Sequence, residues 1–255
     1  MAAGLKIDAR RKRIQELLEQ QGQVNVAQLS ASLGATMATI RSDLRALEEE
    51  GYAERIQGGA ILKTRFQPPA AEPVRLAEKR AIAQAVAEVI QNGDTLLINA
   101  GTTTREIALA LKKHRGLNIV TNSIAVAMEL SGLPTMRVVL LGGELNTQYA
   151  FTCGGDAQEQ LRKYQADYTI LSLDGVSAEG GVTTYHADEA IIDRLMVERA
   201  EKTLVAADHT KLGRAGFSII CPLERIHMLV TDSGCEPELA ERLRGGGIRV
   251  LCAEV

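Results

Sequence analysis

Aromatic residues make up only 3% of this 255-residue chain, and tryptophan is absent. That argues against the exposed aromatic platforms on which single-stranded nucleic acid stacks. Long apolar runs are missing too. None reaches the roughly 20 residues that cross a bilayer, and the opening stretch MAAGLKIDARRKRIQELLEQ is charged throughout, with no signal-peptide apolar segment. The four cysteines, at 153, 221, 235 and 252, form no CxxC pair, which removes the zinc and thioredoxin-like readings. Thiols so scattered suit a reduced, cytoplasmic protein. The histidines form no HExxH or HxxxH pair, and neither the P-loop pattern nor GxGxxG occurs, so no metal and no cofactor is expected. A large charge of one sign is lacking as well: 29 basic and 32 acidic residues leave −3, unlike a wholly basic nucleic-acid binder.

What is present is an ordinary globular composition, 45% hydrophobic and 24% charged, enough for one or two cored domains. Three of the six prolines fall within residues 64–75, TRFQPPAAEPVR. Proline removes backbone donors and disfavours helix in the residue before it, so this stretch reads as a linker between domains at 1–63 and 76–255. The charge divides nearby: residues 1–65 carry a net +2 and the rest −5.

In the first domain, Ile14, Leu17 and Leu18 give a helix at 9–21 one apolar face, and Val26, Leu29 and Leu33 do the same for a second helix that Gly34 ends. A third helix opens at Thr36, an N-cap residue, with Met37, Ile40, Leu44 and Leu47 as its buried stripe. At about 100° per residue, Ala38, Ser42 and Arg45 lie opposite that stripe, and Arg41 lies on its shoulder. A short helix, a glycine turn and a helix exposing small and basic residues is helix-turn-helix geometry, in which the last helix enters the DNA major groove by its N-terminal half. Residues 52–62 read as a β-hairpin, a wing whose diglycine tip lies along the phosphate backbone. The expected DNA-facing set is Thr36, Ala38, Thr39, Arg41, Ser42, Arg45, Gln57, Gly58 and Gly59. Arg10, Arg11, Lys12 and Arg13 read either as a further phosphate contact or as a solvated helix end. A small helical interaction domain is the competing reading of the trio.

Beyond the linker, a helical pattern at 76–91 is followed by short apolar runs at 95–98, 117–120, 137–141, 168–173, 203–207, 227–230 and 248–251. Helical patterns lie between most of them, at 103–114, 123–131 and 188–201 among others. Such alternation makes an α/β fold with a mainly parallel sheet covered on both faces. Open sheets of this kind bind ligands at the carboxyl ends of the strands. There the sequence puts Asn99, Gly101, Thr102, Thr103 and Thr104; Thr121, Asn122 and Ser123; Gly143; Asp174 and Gly175; Asp208 and Lys211; and, at a helix start, Glu189. Helix starts with free N–H groups suit a phosphate with sugar hydroxyls beside it. Lys211 supplies a point charge for that phosphate, with Asp174 facing it. Ordinary N-caps, a structural ion pair and solvated loop charges are the alternatives. The enzymatic alternative is a sugar-phosphate isomerase with a DNA-binding appendage, using Asp174 and Lys211 as base and oxyanion stabiliser, but no second carboxylate stands at a defined spacing.

The stretch from Val26 to Ala60, with TIRSDLRALEEEG at 39–51 and GGA at 58–60, resembles the winged helix-turn-helix of the DeoR-type bacterial sugar-metabolism repressors. EKRAIA at 78–83, GDTLLINAGTTT at 93–104, TNS at 121–123, LGG at 141–143, DG at 174–175, GVTT at 181–184, ADHTKLG at 207–213 and TD at 231–232 resemble, in order, the sensor domain of the same family. Residues 189–200 are similar to its amino-sugar operon branch. The resemblance implies a sensor fold shared with ribose-5-phosphate isomerase and CoA-transferase-like proteins. It implies a repressor of a carbohydrate-utilisation operon, not an enzyme, released from double-stranded operator DNA by a phosphorylated sugar. It implies a homodimer or homotetramer, with no membrane partner, in the bacterial cytoplasm and on the nucleoid when DNA-bound. Ser42, Gln57, Asn99 and His209 depart from the family's usual Arg, His, Asp and Ser, two on the DNA face and two at the pocket.

Overall fold

The computed structural model describes residues 7–21, 23–49, 52–56, 58–62, 75–178 and 180–255, and the chain divides into two compact units, 1–71 and 72–255. In the first unit α1 (Ile7–Gln21), β1 (Gln23–Asn25), α2 (Val26–Leu33), α3 (Met37–Glu49), β2 (Ala53–Ile56) and β3 (Gly59–Leu62) follow in order. Asn25 starts α2, its side-chain oxygen accepting from the N–H of Ala27 at 2.8 Å. Gly34 ends it at φ 62, the left-handed conformation that glycine takes without a Cβ clash. Ile14 and Leu18 of α1, Leu29 and Leu33 of α2, and Ile40, Leu44 and Leu47 of α3 are buried together with Ala53 and Ala60 of the hairpin. Met37 departs from the expected stripe: it is 49% exposed, because the packed stripe begins one turn later, at Ile40. The sequence pattern also missed β1, a three-residue strand that pairs antiparallel with β3 and widens the wing to the order β1-β3-β2. Its brevity gives no alternation to read.

The second unit holds α4 (Leu76–Val89), β4 (Thr95–Ile98), α5 (Thr102–Leu111), β5 (Asn118–Thr121), α6 (Ile124–Leu130), β6 (Arg137–Leu140), β7 (Glu144–Asn146), β8 (Phe151–Cys153), α7 (Gly154–Leu161), β9 (Ala166–Leu171), β10 (Gly175–Ser177), β11 (Gly181–Thr184), α8 (Ala187–Arg199), β12 (Ala200–Ala206), β13 (Ser218–Cys221), β14 (Met228–Asp232), α9 (Pro237–Gly245) and β15 (Arg249–Ala253). Seven strands form one parallel sheet in the order β15-β14-β12-β9-β4-β5-β6. The central strands β4, β5, β9 and β14 are buried on both faces. Leu96 and Ile98 of β4 pack with Ile82 and Val86 of α4, Ile107 of α5 and Val126 of α6, whereas Leu97 joins Leu161 of α7 and Leu195 and Met196 of α8. This is why the strands read as short apolar runs rather than as alternation.

The chain runs outward from β4 through β5 to β6, then returns to begin its second run at β9, on the other side of β4. Strand order therefore reverses between β4 and β9, and the crevice beyond their carboxyl ends is where a doubly wound sheet takes a ligand. Two small additions were absent from the sequence reading: the β7–β8 hairpin and the antiparallel sheet β10-β11-β13. The expected helix at 188–201 stops at Arg199 and passes directly into β12.

Candidate functional site

On the first unit, Thr36 caps α3: its Oγ1 accepts from the N–H of Thr39 at 3.2 Å. Thr36, Ala38, Arg41, Ser42 and Arg45 are exposed and Thr39 is half-buried. Arg41 and Arg45, one helical turn apart, make no ion pair with a described residue. Gln57 lies outside the described residues. Gly58 is exposed at φ 86, while Gly59 is buried and serves the wing itself: a Cβ there would stand 2.0 Å from the Val24 carbonyl oxygen, so glycine lets β1 approach. The basic run at 10–13 divides. Arg10 is buried and its Nε donates to Asp43 of α3 at 2.5 Å, while Arg11 reaches the same carboxylate at 3.3 Å. The hydrogen bond to Asp43 raises the Arg10 pKa, against the cost of burial. These two arginines thus fasten α1 to α3, leaving Lys12 and Arg13 exposed.

On the second unit, the β4–β9 crossover is built around Asn99. Its Nδ2 donates to the Ser172 carbonyl at 2.8 Å and to Asp193 Oδ2 at 2.9 Å, and its Oδ1 accepts from the Ser172 N–H at 2.9 Å. The amide is spent joining the end of β4 to the residue after β9 and to α8, so Asn99 is a structural member of the crossover. Gly101 follows because a Cβ would lie 2.8 Å from the Ser172 side chain. It opens α5, which no side chain among the described residues caps; Thr102 is exposed there, and Thr103 and Thr104 are buried.

Beyond β9, Asp174 Oδ1 lies 3.3 Å from Lys211 Nζ, and its Oδ2 accepts from the Tyr185 N–H at 3.1 Å. Thr184 Oγ1 bridges Asp174 Oδ2 at 3.1 Å and Glu189 Oε2 at 2.7 Å. Burial lifts the Glu189 pKa to about 7, and the Asp174 charge adds to the rise against the Thr184 hydrogen bond. Asp193, fully buried one turn further along α8, is pushed well above the usual carboxylate range by burial first and by Glu189 second. Its Oδ1 has no hydrogen-bond partner among the described residues. Asp208 is buried and turns its Oδ1 to the Thr210 N–H at 3.1 Å, which holds the turn that presents Lys211. Lys79 of α4 stands in the electrostatic reach of both: burial lowers its pKa, Asp208 raises it and Lys211 lowers it again. His209 is held away on Asp232, Nδ1 to Oδ2 at 2.6 Å.

Several expected residues have other work. Thr121, Asn122 and Ser123 are buried: Thr121 Oγ1 accepts from the Ser123 N–H, Ser123 Oγ caps α6, and Asn122 Nδ2 donates to the Thr152 carbonyl. Asn122 Oδ1, like Asp193 Oδ1, has no hydrogen-bond partner among the described residues. Gly143 and Gly175 admit backbone: a Cβ would meet the Cys153 carbonyl oxygen at 2.4 Å and the Arg214 carbonyl oxygen at 2.5 Å, respectively. Conversely, Lys79, Ser172, Thr184 and Asp193 escaped the sequence reading. The spacing of Glu189 and Asp193, four apart on one helix, was the available signal for the last.

The family described as DeoR-like helix-turn-helix domain matches residues 10–66, and the DeoR C terminal sensor domain matches residues 74–233. The chain is 36% identical over 248 residues to a protein of Escherichia coli O157:H7 named as an aga operon transcriptional repressor, covering 95% of this chain and 92% of that one. It is 36% identical over 246 residues to the HTH-type transcriptional regulator GlpR of Haloferax volcanii, covering 95% and 96%. Among solved structures, ribose 5-phosphate isomerase A of Methanocaldococcus jannaschii aligns over 52% of this chain and 53% of its own, at a TM-score of 0.39 and 13% identity.

Proposed function

Since the chain belongs to the DeoR family, with a helix-turn-helix domain followed by a DeoR sensor domain, we propose that it represses a carbohydrate-utilisation operon and lets go of its operator when a phosphorylated sugar binds. In this reading residues 1–63 read double-stranded DNA, 64–75 link, and 76–255 sense the effector. The observation that carries the sensor assignment is the cluster at the strand crossover, where Lys211 stands 3.3 Å from Asp174, with Thr184 and Glu189 beside them and α5 uncapped nearby. The phosphate would lie on the α5 N-terminus with Lys211 and Lys79, and the sugar hydroxyls on Asp174 and Glu189. Relatives spanning over nine-tenths of both chains are named as transcriptional regulators rather than enzymes, which favours binding over isomerisation at this site.

Release requires that the sugar bind the DNA-competent and DNA-incompetent states unequally. A symmetric homodimer or homotetramer would match a palindromic operator, and its place of work is the cytoplasm, on the nucleoid when DNA-bound. A thermal-shift screen of phosphorylated sugars identifies the effector, and gel shifts then test the roles. Arg41→Ala or Arg45→Ala should cost about 1–3 kcal/mol of operator affinity. Lys211→Ala should bind operator normally without effector and resist release. Unchanged affinity in both arginine variants, or normal release of the lysine variant, would refute the corresponding assignment.

A further inference from the structure

Tyr149 and His186 belong to no motif singled out in the sequence, yet their rings meet, centroids 4.5 Å apart with planes at 51°. They come from opposite sides of the crossover. Tyr149 lies in the turn between β7 and β8, and that hairpin is tied to the carboxyl ends of β5 and β6: the Thr152 N–H donates to the Asn122 carbonyl at 2.8 Å, Thr152 Oγ1 to the Leu141 carbonyl at 2.7 Å, and the Ile124 N–H to the Ala150 carbonyl at 3.0 Å. His186 stands at the start of α8, between Thr184 and Glu189 of the carboxyl cluster. The start of α8 is tied to the end of β9 where Thr184 Oγ1 and the Tyr185 N–H donate to Asp174, and β4 lies between β9 and β5 in the sheet, so the ring contact links the two sides of the crossover.

The turn is closed by its own hydrogen bonds. Asn146 Oδ1 accepts the N–H groups of Gln148 and Tyr149, both at 3.1 Å, and Ala150 takes φ 55, a conformation costly for alanine. Even so, Tyr149 stays 44% exposed and Tyr185, beside His186, 60%. Exposed rings next to a rim of carboxyls and hydroxyls are the composition of a sugar-ring surface, with the C–H face on the aromatic group and the hydroxyls on the rim.

Resting on the effector site proposed above, we infer that Tyr149, backed by His186, is the wall against which the effector's ring packs, and that it selects cyclic sugar phosphates over their open-chain counterparts. Tyr149 is a specificity-determining residue in this account, separate from the phosphate contacts.

The test is calorimetric titration of the full chain with matched pairs: glucose 6-phosphate, mannose 6-phosphate and ribose 5-phosphate, each against its reduced, open-chain alditol phosphate. For a sugar that binds, the ring form should bind about tenfold tighter than its alditol. Tyr149→Ala should erase that preference by weakening the ring form alone, while Tyr149→Phe retains it. Ligand-free thermal unfolding should be unchanged in Tyr149→Phe, which keeps the ring contact with His186, and lowered only slightly in Tyr149→Ala, which loses it. Equal binding of ring and alditol by the parent, or equal weakening of both by Tyr149→Ala, overturns the wall and leaves the sensor reading standing. If the parent binds none of the phosphorylated sugars of the thermal-shift screen, ring or open-chain, the sensor reading falls and the inference falls with it.

Discussion

Thr184 has one hydroxyl hydrogen and two carboxyls within reach, Asp174 at 3.1 Å and Glu189 at 2.7 Å. It can donate to only one of them, so the other contact needs a proton on the carboxyl itself. Burial lifts the Glu189 pKa to about 7, so Glu189 is the carboxyl suited to carry that proton while the Thr184 hydroxyl donates to Asp174. The sign of the linkage follows. A carboxyl whose pKa rises from 4.5 when unfolded to about 7 when folded contributes stability that is complete below the unfolded value and is lost as the pH climbs through the folded one. Glu189→Gln keeps the hydrogen bond to Thr184 and cannot ionise. Urea unfolding between about pH 5 and about pH 8 should therefore show the parent losing stability relative to the variant. A constant difference between the two across that range would mean that Glu189 is already ionised in the fold. Asp193 escapes detection in the sequence for a related reason: its effect depends on burial and on the Asn99 amide, 94 positions away along the chain.

Among the elements, the wing gives the clearest contrast between a residue's place in a motif and its work. Gly58 and Gly59 are adjacent, and the hairpin pattern assigns both to the DNA contact. Gly58 has open space where a Cβ would go but φ 86, so Gly58→Ala should cost about 1 kcal/mol of backbone strain. Gly59→Ala would drive a Cβ to 2.0 Å from the Val24 carbonyl oxygen and part β1 from β3, which should cost more than about 2 kcal/mol. Thermal unfolding should therefore rank the parent above Gly58→Ala and Gly58→Ala above Gly59→Ala; the opposite ranking would mean that β1 does not bear on the wing. The long periodic elements were legible in the sequence because each has an apolar face to bury: α2 begins and ends at Val26 and Leu33, as its pattern and Gly34 imply. The β7–β8 hairpin and β1 were not, since three-residue strands carry too little period to register. The strand ends were legible as a ligand site by the general rule for such sheets. Which side chains there face inward was not: Ser123 and Thr102 are both polar residues at helix starts, yet one is buried as a cap and the other exposed.

At the scale of the whole molecule, the weak net charge of −3 hides a first 65 residues of +2, and several of the cations behind that surplus are already paired. Arg10 and Arg11 are committed to Asp43, and Arg55 to Glu48 at 2.6 Å. Among the described residues of the helix-turn-helix unit, Lys12, Arg41 and Arg45 remain outside these ion pairs, and the proposed placing of two units on one operator would add to their affinity. Each phosphate contact contributes about −0.9 to the slope of log affinity against log salt, so the slope on an operator with two half-sites should be about twice that on a single half-site. Arg10→Ala adds an internal control. It leaves Asp43 short of its main partner and should lower thermal stability by about 2–3 kcal/mol. Measured where the variant is folded, however, its salt slope should match the parent's, because the lost guanidinium faced a carboxylate and not the DNA. A slope shallower by about one would return Arg10 to the phosphate backbone, and equal slopes on one and two half-sites would remove the need for paired units.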